Sequence, residues 1–384
     1  MKRKGFLYEE LISIDNCKRA IIRAAKHKHK RRQVRTILEN IDLYAEDLSL
    51  RLQKLEFTSP YTKKIIKDGL SGKERELLIP KFYPDQCAHH AVMQLFIPIV
   101  KKTSYYWSCA NIPKRGIDHA SKKVERATIK DKRTKYCLKL DIRKFYPSMP
   151  LDLLKAKFRT IIKDEKFLTV LDAIVDSVDE GLPIGNYSSP WFAELYLQPI
   201  DRHILASDAT KHYIRYADDM VIIGSNKRKL HRLKAELIAE ANNIGLEIKH
   251  NMQVFKIQEN GKGRRIDFVG KCYGIGFTTV RKSRSLSFIR QSRKIKSLQE
   301  RDLPIPYKMA AGFISKSNLL RHTKTQALKI KYYDTINVKQ LKEVIRNHDL
   351  HRNSERVRNT SETSSDRERY CLHSQEHCKD NRAR

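Results

Sequence analysis

Arg215-Tyr216-Ala217-Asp218-Asp219-Met220-Val221-Ile222-Ile223-Gly224 sets two adjacent aspartates between apolar, β-prone runs. A strand, a two-residue break and a second strand read as a tight hairpin with a carboxylate at its tip. Upstream, Leu138-Lys139-Leu140-Asp141-Ile142-Arg143-Lys144-Phe145-Tyr146 brings a further aspartate to the end of an apolar run, with two aromatic residues one turn later. Carboxylates crowded together repel, so such a site needs a compensating cation. Hard oxygen ligands suit Mg²⁺, which binds one or two carboxylates together with substrate phosphates. An isolated Tyr-X-Asp-Asp is usually a solvated turn. The decision therefore rests on the rest of the chain.

Composition narrows the partners. The chain has 384 residues, enough for one large multi-lobed domain or two ordinary ones. Lys and Arg outnumber Asp and Glu by 78 to 44, a net charge of +34. That excess calls for a polyanion, and nucleic acid is the plainest one. No apolar run approaches the roughly 20 residues of a membrane span, and no secretory signal follows Met1. A cytoplasmic protein without a membrane partner is expected. Seven cysteines are scattered without a Cys-X-X-Cys pair, which argues against a disulfide framework or a structural zinc site. His89-His90 reads as a helix feature rather than a metal site, since neighbouring helical residues face apart.

Residues 6–57 carry apolar positions at helical spacing, interrupted by Lys26-His27-Lys28-His29-Lys30-Arg31-Arg32. That run is either a solvated face or a phosphate-contacting one. Pro60 and Gly69-Leu70-Ser71-Gly72-Lys73 read as turns. Strands are predicted over 74–83, 136–141, 213–216, 219–224 and 265–280. Helices are predicted over 86–101, 117–128, 150–161, 190–206 and 227–244. Strands interrupted by helices, with hairpins at 213–224 and near 261–280, make an α+β fold. Residues after Ser285 are helical and basic to about Asn347. The remainder is too poor in large apolar residues to offset its ordering entropy, so disorder is expected there.

Further blocks follow in order. Arg75-Glu76-Leu77-Leu78-Ile79-Pro80 precedes Asp85-Gln86 and a helix, and Ser108-Cys109-Ala110-Asn111-Ile112-Pro113-Lys114-Arg115-Gly116 precedes His119-Ala120. Gly181-Leu182-Pro183-Ile184-Gly185-Asn186-Tyr187-Ser188-Ser189-Pro190-Trp191-Phe192-Ala193 is a glycine-bearing loop entering a helix, with Ser189 as N-cap and Pro190 in the first turn. Ile244-Gly245-Leu246-Glu247-Ile248-Lys249-His250-Asn251 and Asp267-Phe268-Val269-Gly270 complete the series. As a set they resemble a prokaryotic reverse transcriptase of the group II intron, retron and diversity-generating retroelement clan, over about residues 70 to 285.

The resemblance implies a right-hand polymerase with fingers, a palm of antiparallel sheet plus helices, and a short helical thumb. It suggests a basic helical extension over 1–60, fingers and palm over 61–285, a thumb over 286–349 and a disordered charged tail over 350–384. Asp141, Asp218 and Asp219 would be catalytic and, with the main-chain carbonyl of Ile142, hold two Mg²⁺ ions; Mn²⁺ is the alternative ion. Arg75, Lys114 and Arg115 would neutralise the triphosphate of the incoming nucleotide as charge builds on pyrophosphate. Tyr146 stands at the family's steric gate against a ribose 2′-hydroxyl, whereas Phe145 reads as core. Gly185 lets backbone approach the nascent pair. Ile184 replaces the clan's usual glutamine, a change the diversity-generating subgroup shares and links to tolerant base selection, although Ser189-Pro190 departs from that subgroup. Lys249 would sit near the triphosphate, and Phe268, Val269 and Gly270 would form a primer grip placing the 3′-hydroxyl for in-line attack.

The implied activity is RNA-directed DNA polymerisation on an RNA template from a DNA or RNA primer, consuming deoxynucleoside triphosphates. A structured non-coding RNA or an accessory protein is a candidate partner, and the biological settings are a retroelement or antiphage defence. A non-catalytic, maturase-like RNA-binding scaffold and a non-templated polymerase are the alternatives.

Overall fold

The computed structural model describes residues 2–67, 74–320, 323–348 and 350. The turn expected at 69–73, and nearly all of the tail expected to be disordered, lie outside them.

The amino-terminal segment is helical: α1 (Tyr8–Ile12), α2 (Ile14–Ala25), α3 (Arg32–Glu39) and α4 (Ile41–Lys54). The Ser13 hydroxyl caps α2 by accepting from the Asn16 amide. Asp164 takes the amides of Leu7 and Tyr8, at 2.6 and 3.0 Å, and so ties this segment to the start of a later helix, which it also caps.

A two-stranded ribbon follows, β1 (Thr62–Lys67) paired antiparallel with β2 (Glu74–Ile79), Thr62 opposite Ile79 and Lys67 opposite Glu74. The sequence hid β1. Its residues Thr-Lys-Lys-Ile-Ile-Lys are exposed throughout and show no apolar alternation. Only pairing makes it a strand, aided by Lys63–Glu76 and Lys67–Glu74 contacts of 3.3 and 2.8 Å.

The largest sheet has five strands in the order β3 (Ser108–Cys109), β5 (His212–Tyr216), β6 (Asp219–Gly224), β4 (Tyr136–Asp141) and β7 (Gln253–Lys256). Only β3–β5 is parallel. Around it run α5 (Cys87–Thr103), α6 (Ile117–Lys130), α7 (Leu151–Ile161), α8 (Glu165–Val175), α9 (Ser189–Tyr196), α10 (Gln198–Ala206) and α11 (Lys227–Asn243). The helix predicted over 190–206 breaks at Leu197, where Pro199 opens the first turn of α10. Met220, Val221, Ile222 and Ile223 are all fully buried. A central strand covered on both faces needs a continuous apolar run rather than an alternating one. Met220, Ile222, Leu138 and Leu140 enter one core, with α5, α9 and α11; Val221, Ile223 and Cys137 enter the other, with α6.

Two strands, β8 (Ile266–Phe268) and β9 (Lys271–Gly274), pair antiparallel with Phe268 opposite Lys271. The chain divides into two units after Phe277, within β10 (Phe277–Val280). In the second unit α12 (Lys282–Glu300), α13 (Tyr307–Ser317), α14 (Gln326–Tyr332) and a helix over 338–348 surround a core of Phe288, Ile295, Phe313, Ile336 and Leu341. The fold is α+β. Among the described residues no helix is long and apolar enough to cross a membrane. Cys17, Cys87, Cys109 and Cys137 are buried thiols outside any disulfide.

Candidate active site

The β5–β6 hairpin closes as the sequence predicts. Tyr216 pairs with Asp219, leaving Ala217 and Asp218 at the tip. Ala217 adopts φ +54°, a left-handed conformation that costs an alanine energy and must be held from outside. Its amide donates to the Cys109 carbonyl at 3.3 Å, and its carbonyl accepts from Arg215 Nη1 at 3.2 Å. Across the sheet Asp141, the last residue of β4, stands opposite Asp219.

Electrostatics shows how closely these three residues are grouped. Burial, and then the nearby Asp141 charge, raise the carboxyl of Asp218 above its ordinary range. Asp219 is pushed up to about 6, chiefly by burial and against the pull of Lys139. Two lysines answer this negative field. Lys249 Nζ donates to Asp141 Oδ1 at 2.6 Å, and Lys139 Nζ lies 3.4 Å from Asp219 Oδ2. Among the described residues no group of three His, Cys, Asp or Glu side chains closes into a metal cage. The donor set nevertheless fits a hard cation: Asp219 Oδ1 is buried without a hydrogen-bond partner, and the carboxyls are charged at a cost that a divalent ion would remove.

Beneath the hairpin lies a buried ionic network that motif reading missed. Arg215 Nη2 reaches Asp201 Oδ2 at 2.6 Å and Glu194 Oε2 at 3.2 Å, all three side chains nearly inaccessible. Tyr213 Oη donates to Asp201 at 2.6 Å and Ser108 Oγ to Glu194 at 2.7 Å. The only sequence signal was an arginine inside an otherwise apolar strand.

The other expected residues fall as follows. Ile142 is buried and forms an isolated bridge with Ile248, so the Ile244–Asn251 block runs beside the Asp141 strand end. Phe145 is core. Tyr146 is partly buried, its phenol pushed up to about 12 by burial and then by the charge of Asp218. Its carbonyl accepts the Leu182 amide at 2.8 Å, locking it to the 181–188 loop. Ile184 is half-buried and its carbonyl accepts the Leu78 amide at 2.9 Å, which joins that loop to β2. A side chain at Gly185 (φ +139°) would put its Cβ 2.4 Å from the Leu78 carbonyl, so only glycine fits. The expected cap moves by one residue: Ser188 occupies the N-cap position, its hydroxyl turned to His89 rather than to a helix amide, and Ser189 Oγ donates to the Pro183 carbonyl.

Arg75 lies on the exposed β2. Lys114 is exposed at φ +66°. Arg115 lies over the Tyr106 ring, 4.7 Å from its centre, and donates to the Tyr105 carbonyl. His89 is a buried neutral histidine, driven down to about 3 by burial and bonded to Ser188 Oγ at 3.0 Å.

Phe268 is fully buried, and the β8–β9 turn is made by Val269 (φ +45°) and Gly270 (φ +83°). A β-branched residue with positive φ is an outlier that surrounding contacts must enforce. They do. Lys271 Nζ and Tyr273 Oη both donate to Ser121 Oγ on α6, at 2.9 and 3.0 Å. Lys139, the partner of Asp219, also donates to the Asp267 carbonyl. One ammonium thus joins the carboxylate site to the hairpin. On the polymerase activity that the sequence resemblance implies, Lys139→Met should cut the rate of single-nucleotide addition by about tenfold to a hundredfold, the value of a charge-assisted bond of roughly 1.5–3 kcal/mol. Rapid-quench extension of one defined primer reads this. A parental rate would show that the tether has no part in turnover.

Three comparisons with known proteins bear on this geometry. Residues 89–270 match the family model "Reverse transcriptase (RNA-dependent DNA polymerase)". The chain is similar to the Retron Ec73 reverse transcriptase of Escherichia coli, 27% identical over 143 residues, covering 33% of this chain and 44% of that protein. It therefore spans under half of that relative. Among solved structures it is similar to the apo telomerase of Candida tropicalis (TM-score 0.46, 13% identity, 80% of this chain and 62% of that one). It is likewise similar to the Candida albicans telomerase with a fragment of telomeric RNA (TM-score 0.45, 10% identity, 77% and 62%).

Proposed function

We propose that this chain, whose residues 89–270 match the reverse transcriptase family model, is a retron-type enzyme that adds deoxynucleotides to a primer 3′-hydroxyl on an RNA template. The observation that carries this reading is the convergence of Asp141, Asp218 and Asp219 at one strand end, tied through Lys139 to the β8–β9 hairpin. On this reading the five-stranded sheet is the palm, the β1–β2 ribbon belongs to the fingers and the helices of the second unit are the thumb.

The reaction joins the primer 3′-oxygen to the α-phosphorus and breaks the bond to pyrophosphate, with loss of the hydroxyl proton. Asp141, Asp218, Asp219 and the Ile142 carbonyl would hold two Mg²⁺ or Mn²⁺ ions, which supply charge neutralisation and activate the attacking oxygen when bound. The chain's own groups do the rest. Lys249 and Lys139 balance the carboxylates, with Lys249 leaving Asp141 for substrate phosphate as ions and nucleotide enter. Arg75, Lys114 and Arg115 meet the triphosphate. Phe268, Val269 and Gly270 carry the primer end, their strained turn fixing its position before reaction. Tyr146, pinned through Leu182, closes the space a 2′-hydroxyl would need, while Ile184 and Gly185 line the nascent pair.

RNA template, DNA or RNA primer and deoxynucleotides are the partners, with the +34 charge supplying phosphate contacts. The setting we infer is cytoplasmic and retron-like, with a structured non-coding RNA encoded beside the gene; a template-repeat pair there would instead indicate diversity generation. Extension of a labelled primer on RNA by the purified chain, with and without divalent ions, tests the activity. A purified chain that makes no divalent-ion-dependent product would overturn it. Tyr146→Val should relax deoxynucleotide preference by about tenfold or more, since relief of a steric clash is worth roughly 1–3 kcal/mol. Competing ribonucleotide and deoxynucleotide incorporation measures it, and an unchanged ratio in an active variant would place the gate elsewhere.

A further inference from the structure

Tyr187 emerges two residues beyond Gly185, and its ring lies face to face on His90 of α5, centres 3.9 Å apart and planes 13° apart. The tyrosine is 41% exposed, too open for a core residue, yet it is held on both sides. Asn186 Nδ2 donates to Tyr61 Oη at 2.8 Å, and Ser188 Oγ bonds to His89 Nδ1 at 3.0 Å. An exposed ring that is already immobile loses little entropy when a flat partner stacks on it.

Cations surround the pair. Helix α2 packs along α5: Gln94 donates to Asn16 at one end, and Lys28 Nζ donates to Gln86 Oε1, at 2.6 Å, at the other. Gln86 lies one turn before His90, and Arg23 sits on α2 between those two contacts. The charges of Lys28 and Arg23 both reach His90, which burial first and these cations second drive down to about 4, leaving a neutral imidazole behind the tyrosine. Arg23 also bears on the Tyr187 phenol. Beyond Lys28 runs the basic stretch 26–32 that the sequence left undecided between solvent and phosphate.

An exposed aromatic face flanked by cations is the device by which single-stranded nucleic acid is held, stacking taking the base and basic side chains the backbone. The loop that carries Tyr187 also carries Ile184 and Gly185, so a strand leaving the nascent pair has this surface as its next support.

We propose that Tyr187, backed by His90, is a stacking platform for an unpaired base of the RNA template ahead of the nascent pair, with Arg23 and Lys28 taking its phosphates. The proposal rests on the RNA-templated polymerase reading and adds the path of the unpaired template.

The full-length chain decides it. Affinity is measured by fluorescence anisotropy for an RNA–DNA primer duplex with a five-nucleotide 5′ template overhang and for the same duplex made blunt. The parent should prefer the overhang by about tenfold, the value of stacking one base. Tyr187→Ala should lose that preference and Tyr187→Phe should keep it. Arg23→Gln should lower the salt slope for the overhang duplex by about 0.7, one contact's worth on a single strand. Equal overhang preference in the parent and Tyr187→Ala would overturn the platform, as would equal loss of preference in Tyr187→Phe, which would mark the hydroxyl or the local fold instead. If the parent binds both duplexes alike the platform also fails. Primer extension by the same parent preparation reads the polymerase activity separately, so failure of either claim is recognised without the other.

Discussion

On the proposed polymerase reading, Asp218→Asn with Asp219→Asn should abolish nucleotide addition on RNA, by about a thousandfold or more, while the thermal midpoint should hold or rise. On that reading several kcal/mol of charge stabilisation at the reacting phosphate would depend on the ions these carboxylates hold, and each 1.36 kcal/mol is tenfold in rate. The stability result runs the other way for a physical reason. Both carboxyls are raised by burial, which means that their ionised forms are unfavourable in the folded chain without an added cation. A neutral amide of the same shape removes that cost. Primer extension and calorimetry on the same preparation read both results. Parental extension by the double variant would end the catalytic assignment, and a collapsed midpoint would show that the hairpin needs its charges to fold.

Arg215→Met lowers stability by about 3–5 kcal/mol and the thermal midpoint by roughly 10 °C. Removing one partner of a buried ion group leaves the other charges uncompensated, which costs more than the group's net worth. Here it would strand Asp201 and Glu194, and Glu194 Oε1 already lacks a partner. Adding Asp201→Asn and Glu194→Gln to Arg215→Met should recover most of the midpoint. Activity should stay low, because the Ala217 carbonyl still lacks the guanidinium that holds the tip of the hairpin. Thermal melts and primer extension across the series separate these roles. Full activity in the stabilised triple variant would reduce Arg215 to a structural residue. An unchanged midpoint in Arg215→Met would show that the network contributes little to folding.

The local sequence by itself determined the strands that carry the three aspartates and most of the helices around them, whereas β1, β3, β7 and α8 escaped it. Apolar β-prone runs and the break between them predicted the strands at 136–141, 213–216 and 219–224, and 3–4-residue spacing predicted the amino-terminal helices, because such patterns are set by backbone geometry within a few residues. The Ala217-Asp218 tip was legible for the same reason. What local patterns could not contain is pairing between distant segments. The lysine-rich β1 is a strand only because β2 lies beside it. Lys139 carried no role in the sequence and Lys249 was expected only near a triphosphate; the sheet sets the first against Asp219 and the β8–β9 hairpin and the second on Asp141. Arg215 is a charge in a buried stretch of strand that drew no reading from the sequence, and α9 and α10 supply the carboxylates that make it tolerable. Tyr187 and His90 stand nearly a hundred residues apart. Periodicity reports what each residue's own backbone imposes, whereas charge compensation and stacking depend on which surfaces meet, and only the tertiary fold decides that.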